Sequence, residues 1–315
     1  MKLVRKTVIG VKTETTQGTP ATLAATDFML AEDVQLKPSV EMLDRNYYRT
    51  SLSSIASVAG KRMYDLTFKT ELKGSGTAGT IYAPLDACIQ ACGFTSTASA
   101  GVSVTYAPTS AAASANFYGP GKSATFEIYK DGIKHVVAGA LGNMKIVAEV
   151  NKYAYCEFTF KGVYAAPSDT AVGTTTYLAQ KPAVVVSASL SLAGLSAIAT
   201  KFEIDMGNEV VERPSLSAST GLLGFIISGR KPVGSCDPEA ETIASHPFWA
   251  NILASTEASS SLVVGATAGN IVTITLPKTQ YTDAPYGDRN GILTFDVALQ
   301  FNQNSGDDEV AIVMT

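Results

Sequence analysis

The sequence predicts a mainly β protein, built as two tandem β-sandwich or barrel-like modules that each carry one short α-helix. Three observations support this prediction. Apolar residues make up 46% of the 315 residues and charged residues only 17%, so a large core is available while charged helix formers are scarce. Apolar and polar residues alternate in many short segments bounded by turn residues. Two short helical segments occupy similar positions in the two halves of the chain.

Alternating segments predict strands along most of the chain. Residues 61–73 show the clearest pattern, because Tyr64, Leu66 and Phe68 fall on one face and mostly polar residues on the other. Residues 123–130 lead through Asp131-Gly132, a strong hairpin turn, into residues 133–138. The same criteria predict further strands at residues 144–150, 153–164, 184–192, 201–206, 222–228, 270–276, 292–301 and 310–314.

Two segments carry helix signals. Residues 83–93 have Pro84 in the first turn and end at Gly93. Residues 245–255 begin at Ser245, a suitable N-cap, and have Pro247 in the first turn. The similar order of elements around the two helices indicates an internal duplication. The predicted organisation is an N-terminal arm (1–26), a first module (27–166), a linker (167–182) and a second module (183–315).

Charge is distributed unevenly along the chain. The net charge is −4, so no global basic field is present to hold nucleic acid. Residues 1–166 contain 17 Lys and Arg against 13 Asp and Glu, whereas residues 167–315 contain 7 against 15. A basic half followed by an acidic half suits head-to-tail contact between copies of the chain. Ordinary scatter between two domains explains the same numbers equally well.

The four cysteines indicate packing in a reducing compartment rather than a metal site. Cys88 and Cys92 are spaced i, i+4 inside an apolar segment, which favours packing on the first predicted helix. The first six residues are charged but no apolar run follows them, so no secretion signal is predicted. No run of about 18 apolar residues predicts a membrane helix. We therefore expect synthesis in the cytoplasm.

The sequence offers little material for catalysis, so no catalytic, metal-binding or cofactor-binding residue is predicted. The two histidines, His135 and His246, are interpreted as structural, the first in a strand and the second at a helix start. The glycines of residues 74–76 suit a strand-to-helix turn better than a phosphate loop. Residues 302–309 loosely resemble a calcium loop, but a hairpin turn between two strands explains their glycine and carboxylates better.

One basic and aromatic cluster stands out in the first half. Arg45, Tyr47, Tyr48 and Arg49 could stack and pair with nucleic acid, or they could anchor a contact between subunits. Because the chain is acidic overall, the interface interpretation is favoured.

Several short motifs resemble those of one family. Glu14, Gly18 and Thr19 form an "E-x-x-x-G-T" pattern near the N-terminus. Further similar stretches are residues 32–38, 44–52, 61–76, 202–210, 226–232 and 286–291. Together these motifs resemble the tail-tube proteins of siphophages, and the resemblance covers most of the chain.

The resemblance implies a structural virion protein without catalytic residues or cofactors. It implies stacked rings whose inner wall is a continuous β-barrel, with DNA and a tape-measure protein in the lumen and tail terminator and tip proteins at the ends. By the same resemblance, the long loop after Pro38 contacts a neighbouring ring or subunit, and the N-terminal arm bridges subunits. The contact residues expected in this loop are Arg45, Tyr47, Tyr48, Arg49, Leu52 and Ile55. DNA is expected to slide through without specific binding, and assembly is expected in the host cytoplasm, without a membrane.

The predicted duplication bears on ring size. If each chain carries two tube-like modules, three chains form a pseudo-hexameric ring; if only one half forms the tube, six chains are needed. We favour three. Two other classes stay open: a β-rich capsid, decoration or fimbrial protein, and a glycan-binding or hydrolytic β-sandwich that uses Tyr47, Tyr48 or Trp249 as a platform.

Overall fold

The computed structural model describes residues 2–315 and shows a strand-dominated chain, which confirms the mainly β prediction. Its α-helices are α1 (Ala83–Gln90) and α2 (Phe248–Leu253), and 3₁₀ turns lie at Val4–Lys6 and Ala25–Asp27. The strands are β1 (Thr7–Thr13), β2 (Phe28–Met29), β3 (Glu32–Leu43), β4 (Val58–Glu71), β5 (Phe94–Ser99), β6 (Ser103–Pro108), β7 (Ala124–Lys130), β8 (Ile133–Glu149), β9 (Tyr155–Tyr164), β10 (Ser168–Asp169), β11 (Ser189–Leu192), β12 (Leu195–Ser196), β13 (Lys201–Asp205), β14 (Asn208–Pro214), β15 (Leu222–Arg230), β16 (Val233–Cys236), β17 (Glu257–Val264), β18 (Val272–Asp283), β19 (Tyr286–Arg289), β20 (Ile292–Phe295), β21 (Val297–Asn302) and β22 (Ala311–Met314).

The alternation in β4 produces the predicted half-buried strand. Tyr64, Leu66 and Phe68 are at most 2% exposed, while the residues between them are partly solvated. Phe68 continues inward to a cluster with Phe126, Phe158 and Phe160, whose ring centroids lie 4.7 to 6.0 Å apart. Such aromatic contacts add to the free energy of burial. The apolar face of β4 therefore fixes which side of the sheet is the core.

Both predicted helices exist but are shorter than predicted. In α1, Pro84 lies in the first turn and Gly93, at φ +83°, follows the last turn, as expected for a glycine that ends a helix. The prediction that Ser245 caps α2 is wrong. The backbone N–H of Ser245 donates to the carbonyl oxygen of Thr242 in a turn, and the helix begins only after Pro247.

A row of eight hydrogen-bonded strands crosses both halves of the chain. The first half supplies the order β3-β4-β9-β8, and the second half supplies β13-β16-β21-β18; we call these the first and second strand groups. They join through β8 and β13, where Lys145 pairs with Asp205 and Glu149 with Lys201. This continuous row places the two groups side by side.

Strand β8 is one long strand where the sequence predicted two, at residues 133–138 and 144–150. Gly139 adopts φ +61° at an irregularity in the pairing with β9, between Ala138 and Leu141. A bulge of this kind bends a strand without ending it. The first part of β8 therefore pairs with β7, and the last part, on the same edge, pairs with β13.

A hairpin of the first half also pairs with a strand of the second half. Strands β5 and β6 come from the first half, but β6 pairs with the C-terminal strand β22, with Tyr106 opposite Ile312. One core cluster accordingly contains buried residues from both halves. The module boundaries 27–166 and 183–315, and the linker 167–182 between them, stay predictions.

Several strand predictions need correction. The expected strand 292–301 divides at Asp296 into β20 and β21, and the expected strand 184–192 is regular only in β11. The hairpin predicted at residues 302–309 is wrong, because β21 and β22 do not pair with each other. Both pair with the same edge of β18, one after the other, so residues 303–310 connect them along that edge.

The two-stranded β14–β15 hairpin leaves the sheet and packs over the first half. Phe225 and Leu222 are at most 2% exposed in a small cluster with Met63 and Leu141. The side-chain amide of Gln17 donates to the carbonyl oxygen of Phe225 at 2.7 Å. This hairpin therefore joins the halves in a third place, after the β8–β13 junction and the β6–β22 pairing.

Candidate assembly surfaces

The outer parts of β3 and β4 form an exposed projection, here called the arm (residues 39–62), with the tip at residues 44–57. It is distinct from the N-terminal arm (1–26). Strand β3 pairs only with β4, so its other edge is open among the described residues. Val40, Met42, Leu43 and Val58 on the arm are between 39% and 57% exposed. Open edges and exposed apolar side chains of this kind mark surfaces that another chain covers.

The structure places the predicted contact residues together on the tip. Tyr48 and Leu52 are fully exposed and Tyr47 is 68% exposed. Arg45 and Arg49 are exposed as well, whereas Ile55 is only half-exposed. No second chain is present, so the role of these six residues in a subunit contact stays a prediction.

Both arginines of the tip remain available for a partner. The guanidinium of Arg45 lies 5.7 Å from the ring centroid of Tyr47. Arg49 donates to the carbonyl oxygens of Ser53 and Ser54, the latter at 3.2 Å, and so shapes the tip. Neither arginine forms an ion pair with a carboxylate within residues 2–315.

The solvent face of the strand row carries several charges that are paired within the chain. Lys69 lies 3.2 Å from Glu157, and Lys145 lies 3.2 Å from Glu203, which also pairs with Lys201 at 2.5 Å. Of these ion pairs, Lys145–Glu203 crosses from one strand group to the other at the β8–β13 junction. Lys37 and Lys161 flank Asp65 on the same face and form no ion pair in the described residues, so this face is polar and keeps only a few free basic groups for phosphate.

A second exposed apolar surface lies on the other half, around α2 and the β19–β20 hairpin. Trp249 packs edge-on against Tyr286 at 5.2 Å and against Phe295 at 5.3 Å. The backbone N–H of Ala240 donates to the carbonyl oxygen of Leu293, which holds the segment before α2 beside β20. We call this surface the α2 face; its exposed apolar residues are Ile243, Trp249, Leu253, Tyr286, Ile292 and Leu293.

The α2 face is acidic. Glu241, Asp283, Asp288 and Asp296 are exposed, and none of them forms an ion pair within the described part of the chain. Arg289 is already paired with Asp237 at 3.3 Å and with Glu239 at 2.6 Å. Residues 232–277 contain no Lys or Arg. Sequence patterns indicated Trp249 but not this surface, because its parts are separated by more than 30 residues in the chain.

The two histidines have the structural roles that were predicted. His135 is half-buried in β8, where its Nδ1 lies 3.2 Å from the hydroxyl of Tyr64. His246 is buried, with Nε2 2.9 Å from the hydroxyl of Tyr281, which in turn donates to the carbonyl oxygen of Leu192. Burial lowers the pKa of both histidines and raises the pKa of Tyr64 to about 12. Both histidine–tyrosine pairs are thus held neutral at pH 7.

Stability is expected to fall as the pH drops below about 6.5, in part because of His246. The unfolded chain protonates this histidine near its ordinary pKa of 6.5, whereas burial lowers the pKa in the folded chain. Below pH 6.5 the unfolded state therefore binds more protons than the folded state. The contribution of neutral His246 to the free energy of unfolding is complete only above that pH. The melting temperature of wild type and His246→Gln at pH 7.5 and 5.5 tests this: the variant should show the smaller drop. Equal drops would contradict the role of His246.

The glycine-rich turn at residues 74–76 and the acidic loop at residues 302–309 both have partners elsewhere in the fold. The N–H of Gly74 donates to Oδ1 of Asn270, and the N–H of Gly76 donates to the carbonyl oxygen of Gly269. These amides therefore join the two halves, as a structural turn does. Arg230 pairs with Asp307 and Glu309 of the acidic loop, and it also donates to the carbonyl oxygen of Thr109.

No metal site emerges from the described residues. Asp308 accepts backbone N–H groups of its own loop, and no group of three or more His, Cys, Asp or Glu within residues 2–315 could hold a metal ion. All four cysteines are buried, and burial raises the pKa of their thiols. Cys88 and Cys92 pack at the end of α1, as predicted. No helix of residues 2–315 is both long and apolar enough to cross a membrane.

Comparison with known proteins identifies the family. No curated protein matches the chain. A family model described as phage tail tube protein matches residues 5–303, which is nearly the whole chain. This match agrees with the β-rich fold and with the open edge and exposed arm. The chain belongs to the phage tail tube protein family.

Proposed function

We propose that this chain is the major tail tube subunit of a siphophage, a non-enzymatic protein that forms stacked rings around a lumen. The observation that carries the proposal is the row of eight strands, in which each half of the chain contributes four strands in corresponding order. Corresponding groups placed side by side in one chain are repeated wall segments, and repetition around an axis closes a ring.

We further propose that three chains close each ring as a pseudo-hexamer. Strand β8 pairs with β7 up to Ala140 and then with β13 on the same edge. Strand β18 occupies the corresponding place in the second group and pairs with β17 up to Gln280. Among the described residues, that edge has no strand partner from Tyr281 to Asp283. The open edge of β3 in the next copy fits there. Two wall segments from each of three chains then make a ring of six segments. A ring of six whole chains is the alternative.

The polar face of the strand row suits a lumen through which DNA slides. Lys69, Lys145 and Lys201 on this face are paired with carboxylates, and the net charge of the chain is −4, so phosphates meet few free basic groups. In this proposal a tape-measure protein fills the lumen before DNA, terminator and tip proteins cover the tube ends, and assembly takes place in the host cytoplasm. The residues Arg45, Tyr47, Tyr48, Arg49, Leu52 and Ile55 provide a contact between subunits.

Cryo-electron microscopy of the assembled protein tests this function. We expect tubes of uniform width whose cross-section shows threefold symmetry with six similar wall segments. Closed shells, or a protein that stays monomeric at high concentration, would reject the tail tube proposal in favour of a capsid or decoration protein. True sixfold symmetry with six whole chains would reject the three-chain ring alone.

A further inference from the structure

The β14–β15 hairpin and the arm are corresponding parts of the two halves. Strand β13 leads directly into β14, and β15 leads directly into β16, so the hairpin is the outward continuation of two strands of the second group. The arm is the outward continuation of β3 and β4, which hold the same two places in the first group. A contact made by the hairpin within one chain therefore indicates where the arm goes in an assembly.

The hairpin packs on the half that lies across the β8–β13 junction. The side-chain amide of Asn208 donates to the carbonyl oxygen of Cys92, next to the end of α1, at 2.8 Å. Arg213 lies 4.1 Å above the ring of Tyr118. The hairpin's apolar residues cover Met63 and Leu141. The site on which the hairpin packs thus combines the end of a helix, an aromatic ring under an arginine, and apolar side chains.

We propose that the arm of one copy packs in the same way on the α2 face of a neighbouring copy. This inference rests on the ring of the proposed function, in which the neighbour's β18 lies beside β3. Corresponding geometry then brings the arm to the second half of that neighbour, at the end of α2. The occupant of the α2 face is a second copy of this chain.

The chemistry of the two surfaces is complementary. The tip offers exposed Tyr48 and Leu52, and the α2 face offers Trp249, Tyr286 and Leu253, the last of them 88% exposed. The α2 face also presents carboxylates without ion partners in the described chain, and the tip presents Arg45 and Arg49. An apolar centre with aromatic and arginine anchors and a charged rim is the usual composition of a specific interface.

The two surfaces differ from each other, so the contact is heterologous. Each copy gives its arm to one neighbour and receives an arm on its α2 face from the other. Contacts of this kind either close a ring or extend without end. They also leave both surfaces exposed in the single chain, as the structure shows for Tyr48 and Leu253.

Photo-crosslinking from the tip tests directly where the arm binds on the neighbouring copy. Tyr48 is fully exposed, so a photoreactive amino acid can replace it without disturbing the fold. Tubes assembled from an equal mixture of isotopically heavy and light chains are irradiated and digested. We expect heavy–light crosslinks to peptides within residues 239–256 or 286–296. Crosslinks confined to the arm of another copy, or to its first half, would overturn the proposal. If wild type forms no tubes at all, it is the proposed function that fails.

A charge placed on the α2 face provides a second test. Leu253→Glu should raise the protein concentration needed for assembly at least about tenfold, measured by sedimentation velocity, because it buries a carboxylate among apolar groups. Val102→Glu is the matched control, since Val102 is also exposed, at 60%, but lies in the β5–β6 turn. Both variants should keep the wild-type melting temperature. Unchanged assembly of Leu253→Glu, in a wild type that does form tubes, would overturn the proposal.

Discussion

Glu14→Ala is expected to lower the free energy of unfolding by about 4 kcal/mol, because the Glu14 carboxylate is buried and accepts four hydrogen bonds. One oxygen accepts from the N–H of Gly18 at 2.7 Å and from the hydroxyl of Ser123 at 2.5 Å. The other accepts from Thr125 at 2.8 Å and from the N–H of Gly139 at 2.7 Å. Removing the carboxylate leaves the donors of Ser123, Thr125 and Gly139 buried without this acceptor, and each such group is costly.

The same contacts give a physical reason for the E-x-x-x-G-T pattern of residues 14–19. Gly18 adopts φ +81°, which glycine reaches without strain, and this turns its N–H toward Glu14. Glu14 thus holds the turn after β1 against the bulge in β8.

Chemical denaturation of wild type, Glu14→Ala and Glu41→Ala measures the effect. Glu41 is exposed on the arm and should change stability by less than about 0.5 kcal/mol. Glu14→Gln should lie between wild type and Glu14→Ala, since its amide keeps one acceptor but places an NH₂ group among donors. A Glu14→Ala protein as stable as Glu41→Ala would show that these hydrogen bonds contribute nothing.

Phe225→Ala should cost about 4 kcal/mol, the usual range for removing a fully buried phenylalanine. Phe225 is completely buried where the β14–β15 hairpin meets Met63 and Leu141, so the substitution leaves a cavity at the seat of the hairpin. Leu223→Ala is the control, because Leu223 lies in the same strand but is 42% exposed.

Hydrogen exchange distinguishes a local from a global loss of stability in Phe225→Ala. The cluster around Phe225 is separate from the main core, so we expect faster exchange in residues 208–230 while β9 keeps its protection. Uniformly faster exchange would mean that the hairpin and the strand row unfold as one unit.

Local sequence patterns were sufficient for part of the fold. The alternation in β4, the Asp-Gly turn after β7 and the proline and glycine around α1 each depend on neighbouring residues, and each prediction was confirmed. No bounds were predicted for strand β3, although Val34, Leu36, Val40 and Met42 alternate with polar residues. Pro38 in the middle of the segment is a residue that regular strands disfavour. Strand β17 begins with small and mostly polar residues, 257–261, which resemble a loop in sequence.

The sequence by itself determined that the protein is mainly β and that Arg45, Tyr47, Tyr48, Arg49 and Leu52 lie together, since they are neighbours in one loop. Only the tertiary structure decided that β8 pairs with β13, that β6 pairs with β22, and that α2 and the β19–β20 hairpin share one exposed face. Strand pairing joins residues far apart in the chain through backbone groups, which every residue carries in nearly the same form. The choice of partner therefore depends on how the apolar faces of all the strands pack into the common core, and no single segment encodes it.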